Sequence, residues 1–247
     1  MSKRFTFSAV AVLALVVSAG VVSSFRSAVE ADGFPSAKAA VAIDELVNMS
    51  SAVADPTATS GDTGWVNILQ TQIKTSSQKD LVFDVALQCG IVTDTTVKSS
   101  GGNTSTATAR ANIAVRVLVD GVAAEPNNSI DAEGLNASGV VYCDRIQTLA
   151  AKFAGLNCTA DLLTGVVTCE DPEELQLILR TLNAHAFNFA KSDVGVGVHS
   201  VVVQARAQAN VSFDTSGALA GAEAFAGAGS LLVEEVRLVK GADIIIE

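Results

Sequence analysis

Apolar residues alternate with polar ones over long stretches of this chain, at the period of two that turns one face of a β-strand toward a core. Leu81, Phe83, Val85, Leu87 and Cys89 alternate with Val82, Asp84, Ala86 and Gln88. Ala111, Ile113, Val115, Val117 and Val119 do the same, up to a turn signal at Asp120-Gly121. Val201, Val203, Ala205, Ala207, Ala209, Val211 and Phe213 hold the period longest, and further strands fit 140–150 and 221–239. One segment breaks the pattern. Asp171 suits an N-cap, Pro172 the first helical position, and Glu173 and Glu174 the positive end of a helix dipole. Leu175, Ile178, Leu179 and Leu182 follow at i, i+3, i+4 and i+7, so the spacing predicts a short helix over 172–183. Many strands with a lone helix imply an all-β protein, an antiparallel β-sandwich of jelly-roll or Ig-like type, and the long strands favour the jelly roll.

Alanines sharpen this picture. Ala218, Ala220, Ala222, Ala224, Ala226 and Ala228 take every second position. With a turn at 214–217, a hairpin would set Ala205 opposite Ala226, Ala207 opposite Ala224 and Ala209 opposite Ala222. Ala107, Ala109 and Ala111 would add a third strand of the same texture. A face of small side chains lets another layer approach closely, so these six paired alanines form a candidate subunit interface.

The N-terminus reads as an export signal. Met1-Ser2-Lys3-Arg4 is basic, and an uncharged apolar run follows from Phe5 to Val22. Val17-Ser18-Ala19 offers a small-residue cleavage site, and Val29-Glu30-Ala31 a later one. The organisation expected is therefore a signal peptide over 1–31, cut after Ala31 or already after Ala19, a flexible leader or donor strand over 32–64, and a sandwich domain over 65–247. An uncleaved signal segment would be the only membrane contact. Within the leader, Ala37, Ala39, Val41 and Ile43 alternate well enough for one amphipathic strand, and Asp55-Pro56 and Gly61-Asp62 break the chain behind it. Such a strand could insert into the sheet edge of a neighbouring subunit; the competing readings are that it pairs with its own sheet or stays disordered.

Four cysteines suit an oxidising compartment. Cys158 and Cys169 flank what reads as a hairpin, with Gly165 supplying a positive φ at its turn, so the two face each other across the ladder. Elimination then pairs Cys89 with Cys143. A zinc site lacks support, since there is no C-x-x-C and no neighbouring His. Six of eleven asparagines stand in N-x-Ser/Thr sequons, Asn48, Asn103, Asn127, Asn136, Asn157 and Asn210, and are candidate glycosylation sites.

Composition removes several functions. A net charge of −10 with only 16 basic residues argues against a nucleic-acid partner. His185 and His199 lie outside any catalytic motif, G-x-S-x-G is absent, and no phosphate-binding loop is present, so no enzyme is expected. Asp161, Glu170 and Asp171 are weak calcium candidates that lack the spacing of an EF-hand loop; no other cofactor is implied. With one Trp and one Tyr, the chain is short of aromatic platforms for sugars. The function expected is a secreted structural subunit of an extracellular assembly (filament, surface layer or matrix) that self-associates, with strand donation from the leader as one way of joining the subunits. The alternative is a secreted, adhesin-like module that binds glycans or cell-surface proteins.

Overall fold

Two β-sheets lie face to face in the computed structural model, which describes residues 37–44, 49–53, 60–98, 104–152, 158–161, 163–165, 167–169, 174–213 and 218–238. The strands are β1 (Ala39–Asp44), β2 (Met49–Val53), β3 (Ser60–Asp62), β4 (Val66–Thr75), β5 (Lys79–Lys98), β6 (Thr104–Val119), β7 (Val122–Ala123) and β8 (Asn128–Ile130). They continue with β9 (Asn136–Ser138), β10 (Val140–Lys152), β11 (Cys158–Ala160), β12 (Val167–Cys169), β13 (Glu174–Val194), β14 (Gly197–Phe213) and β15 (Leu219–Val236).

One sheet runs β1–β15–β5–β13, with β2 also on β15; the other runs β10–β6–β14–β3, with β4 on β14 and β7 on β6. Every ladder in both sheets is antiparallel. β8 and β9 form a small separate hairpin, as do β11 and β12. The alternation along β5 and β14 is the cause of the arrangement, because each strand turns its apolar positions inward onto the facing sheet. Phe83, Leu81, Ile73, Ile113, Phe189 and Leu231 are fully buried between the layers. The protein is an all-β sandwich.

Two polar features bind the sheets where the core is least apolar. A disulfide joins Cys89 on β5 to Cys143 on β10, with 6.6 Å between their Cα atoms. Beside it, the Gln147 side chain of β10 spans the gap. It accepts from Thr93 Oγ1 at 2.7 Å and donates to Thr95 Oγ1 at 2.7 Å and to the Leu177 carbonyl at 2.8 Å.

Two expectations are corrected. The helix over 172–183 does not form: from Glu174 onward the chain is strand β13, 21 residues long, and no helix occurs among the described residues. Leu175, Leu177 and Leu179 also alternate, and β13 lies in unbroken antiparallel register with β5 from Glu174 to Lys191. A continuous ladder satisfies backbone groups over a length that one amphipathic turn pattern cannot match. The β14–β15 hairpin is likewise absent. β14 is flanked by β6 and by β3 and β4, and β15 by β5 and by β1 and β2, so the two strands belong to different sheets. Ala205 pairs with Val115, Ala207 with Ile113 and Ala209 with Ala111. Ala222 pairs with Thr93, Ala224 with Ile91 and Ala226 with Cys89.

The six alanines nevertheless meet. All lie in one buried cluster, approached from opposite sheets, with Ala109 and Ala111 of β6 beside them. Small side chains here set how closely the layers approach. Leucine at Ala207 or at Ala224, both fully buried, is expected to overpack that gap and cost about 1–3 kcal/mol. Chemical denaturation checks this, and unchanged midpoints for both variants would contradict the close packing.

Candidate functional site

β13 is built from an apolar sequence that the fold leaves on the outside. It forms one margin of its sheet, paired with β5 along one side and, among the described residues, meeting only the isolated Glu125–Ala190 bridge on the other. Its residues pair with β5 so that odd positions share the inward face with Phe83, Val85 and Cys89. Little of the other sheet covers its first half, and Leu175, Leu177 and Leu179 on this face remain 46%, 39% and 40% exposed. Ile178 and Leu182, on the outward face, are 47% and 55% exposed. A run of exposed leucines on a sheet margin is a surface suited to pairing with another strand. The sequence reading missed it because the same leucines fit a helix; the alternation of Leu175, Leu177 and Leu179, and later of Phe187 and Phe189, was the available signal.

The residues expected at an interface lie elsewhere. Ala205, Ala207, Ala209, Ala222, Ala224 and Ala226 are buried in the chain's own core and offer no surface, which corrects their assignment. For the leader strand, the structure shows the pairing with its own sheet. β1 pairs with β15 of the same chain, Ala39 opposite Glu234 through Asp44 opposite Gly229, and Ala37 donates to the Lys74 carbonyl at 3.2 Å. Its faces are reversed as well: Ala40 and Ala42 pack on the core, while Ala39, Val41 and Ile43 point outward. A short segment can only turn its small side chains toward a closely spaced interior, and here those are the even positions.

The remaining candidates fall into place one by one. Cys158 stands directly opposite Cys169 in the β11–β12 ladder, and Gly165 has φ of +68° at the turn. The expected bond between them involves side chains outside the described set. Asp161 accepts from the Leu163 amide at 2.9 Å, and such backbone donors hold its carboxyl below the usual range. It caps its own turn, and Glu170 and Asp171 lie outside the described residues. No group of three or more His, Cys, Asp or Glu suited to a metal occurs among the described residues. Of the sequons, Asn136 and Asn210 are exposed and Asn127 is half-buried. Asn48, Asn103 and Asn157 lie outside the described residues, as does the signal segment.

Two polar clusters resemble sites and are better explained as fasteners. Arg110 on β6 donates to Asp144 at 2.9 Å and lies 3.0 Å from Asp131, with Glu133 at 2.5 Å. Burial pulls the guanidinium pKa down, but Asp144 and Asp131 more than reverse this. The effect is to tie the loop between β8 and β9 to the sheet. His199 lies 2.7 Å from Asp120 through Nδ1 and 3.2 Å from the Thr75 hydroxyl through Nε2. The order Asp–His–Thr has the outline of a nucleophilic triad. Thr75 is wholly buried, however, and its hydroxyl donates to the Gly195 carbonyl at 2.5 Å, so no substrate reaches it.

Trp65 and Tyr142 are also occupied. Arg116 stacks on the Trp65 ring at 4.3 Å, and Gly139 (φ +83°) packs under its edge, where a Cβ would come within 2.6 Å. Tyr142 is buried and donates to the Val85 carbonyl at 2.8 Å. On the outer face of the second sheet, Arg206 donates from Nε to Asp62 at 2.9 Å, and this bond above all holds the Asp62 carboxyl down to about 2. A carboxylate depressed in the folded state stabilises above its unfolded value, and that contribution disappears as pH falls from about 4 toward 2. Asp62→Asn is therefore expected to flatten the stability profile in that window, as urea midpoints across pH would show. An unchanged profile would remove Asp62 from the acid response.

No family model matches the chain, and no curated protein is similar to it. Among solved structures, that of the Gt strain of infectious bursal disease virus aligns at 12% identity over 85% of this chain and 43% of that chain, with a TM-score of 0.12. The Gx strain structure aligns at 10% identity over 84% and 46%, also with a TM-score of 0.12. The chain thus spans less than half the length of those viral chains. At such TM-scores the alignments carry no argument about this protein.

Proposed function

We propose that this protein is a secreted structural subunit of an extracellular assembly, built on a jelly-roll sandwich. The observation that carries the reading is β13, a 21-residue margin strand whose leucines stay exposed on both of its faces. The strand order supports the jelly roll. Counting β1 with β2 and β3 with β4, one sheet holds the first, eighth, third and sixth strands, and the other the fifth, fourth, seventh and second. The apolar run over 5–22, the inter-sheet disulfide and the exposed sequons Asn136 and Asn210 support export to an oxidising exterior. The excess of acid speaks against a nucleic-acid partner.

The alternative, a module binding glycans or cell-surface proteins, has less support because Trp65 is covered by Arg116 and Tyr142 is buried. Electron microscopy of the mature secreted protein separates the two. Ordered polymers are the expected result; discrete monomers that retain a defined sugar would favour the binding module.

A further inference from the structure

The hydrogen-bonding polarity of β13 can be read from one bridge. Ala190 exchanges both backbone bonds with Glu125 across the outer side of the strand, at 2.8 and 2.7 Å. In an antiparallel sheet, residues of one parity turn N–H and C=O to one side and residues of the other parity to the opposite side. No register shift interrupts β13 between Glu174 and Lys191, so Glu174, Gln176, Ile178 and Arg180 also direct their backbone groups outward. Among the described residues no strand pairs with them.

We infer that Glu174–Arg180 pairs antiparallel with the same segment of a second copy of this chain, about a two-fold axis through Leu177. This rests on the assembly reading and gives it a joint. The segment Glu-Leu-Gln-Leu-Ile-Leu-Arg is complementary to itself when read in opposite directions. Glu174 then faces Arg180 of the second copy at both ends, and Gln176 faces Ile178, each pair exchanging outward backbone groups. Leu175 meets Leu179 and Leu177 meets Leu177, covering the three leucines left exposed on the inward face.

Other registers lose this match. Moving the axis to Ile178 sets Glu174 opposite Leu182 and Arg180 opposite Gln176, which leaves both charges unpaired. A shift that pairs odd with even residues mismatches the backbone groups altogether. Arg180 has no ion pair of its own among the described residues, while Glu174 lies 3.1 Å from Lys98 on the neighbouring strand. In a chain of net charge −10, copies repel, and a paired Glu and Arg at each end of the joint offset that repulsion locally.

Cross-linking of the full secreted protein tests the register. Leu177 opposite itself is a pair without backbone bonds, with Cα atoms about 4.5 Å apart and so within disulfide reach. Leu177→Cys is expected to oxidise to a covalent dimer, joined through peptides carrying position 177, whereas Leu182→Cys is not. Sedimentation supplies a second measure that needs no new thiol. Arg180→Glu is expected to raise the dimer dissociation constant at least about tenfold, and the swap Glu174→Arg with Arg180→Glu to restore most of it. Circular dichroism confirms that each variant is folded. Absence of the 177 cross-link together with indifference to Arg180→Glu would overturn the joint. If polymers still form in that case, the assembly reading stands without it; a cross-linked dimer that never polymerises would keep the joint and remove the assembly.

Discussion

Replacing Cys89 and Cys143 together by serine is expected to lower the unfolding free energy by about 4 kcal/mol, the loop-entropy value for a bridge spanning 54 positions. That is a large fraction of the roughly 5–15 kcal/mol by which domains are usually stable. The bond matters because of where it lies. It ties β5 to β10, and so one sheet to the other, on the side of the sandwich away from the strands β1 to β4. Urea denaturation of the oxidised protein and the double variant measures the difference, and a loss under about 1 kcal/mol would assign the sheets' cohesion to packing alone. Non-reducing peptide mapping of the native protein is expected to recover Cys89 with Cys143, and Cys158 with Cys169 as their facing positions imply.

Gln147→Leu is expected to cost about 3 kcal/mol although it keeps the size of the side chain. Thr93 and Thr95 are fully buried, and both hydroxyls bond to the Gln147 amide. Leucine would leave Thr93 without its acceptor and Thr95 without its donor in a place water does not reach. Adding Thr93→Val and Thr95→Val to Gln147→Leu is expected to recover most of the loss, because an all-apolar bridge strands no polar group. Denaturant midpoints of the single and triple variants decide it. A triple variant as unstable as the single one would show that shape, not hydrogen bonding, is what Gln147 supplies.

Legibility varied along the chain for physical reasons. β5 and β14 could be read directly, because each buries every second residue and the period survives in the sequence. The β11–β12 register was legible too, since a short hairpin fixes its own pairing through its turn. β13 was not. A margin strand with little cover on its inward face also tolerates Ile178 and Leu182 on its outward face, so the alternation of Leu175, Leu177 and Leu179 is overlaid by a helical spacing. In the leader, the outward position of Val41 and Ile43 defied the rule that the larger apolar residues turn inward; the close spacing beside β15 admits Ala40 and Ala42 instead. Of the candidate functional surface, the leucines were visible as residues but not as an edge.

By itself the sequence determined that this is a β protein, where its long inner strands run, and which cysteines face each other within a hairpin. These properties are local: side chains alternate along one strand, and a turn sets the register of its two arms. Only the tertiary structure decided that β14 and β15 lie in opposite sheets, that the leader closes its own sheet, and that β13 is left bare. Each of these depends on which distant strand wins the competition for backbone hydrogen bonds, and a run of alternating residues is equally ready to pair on either side.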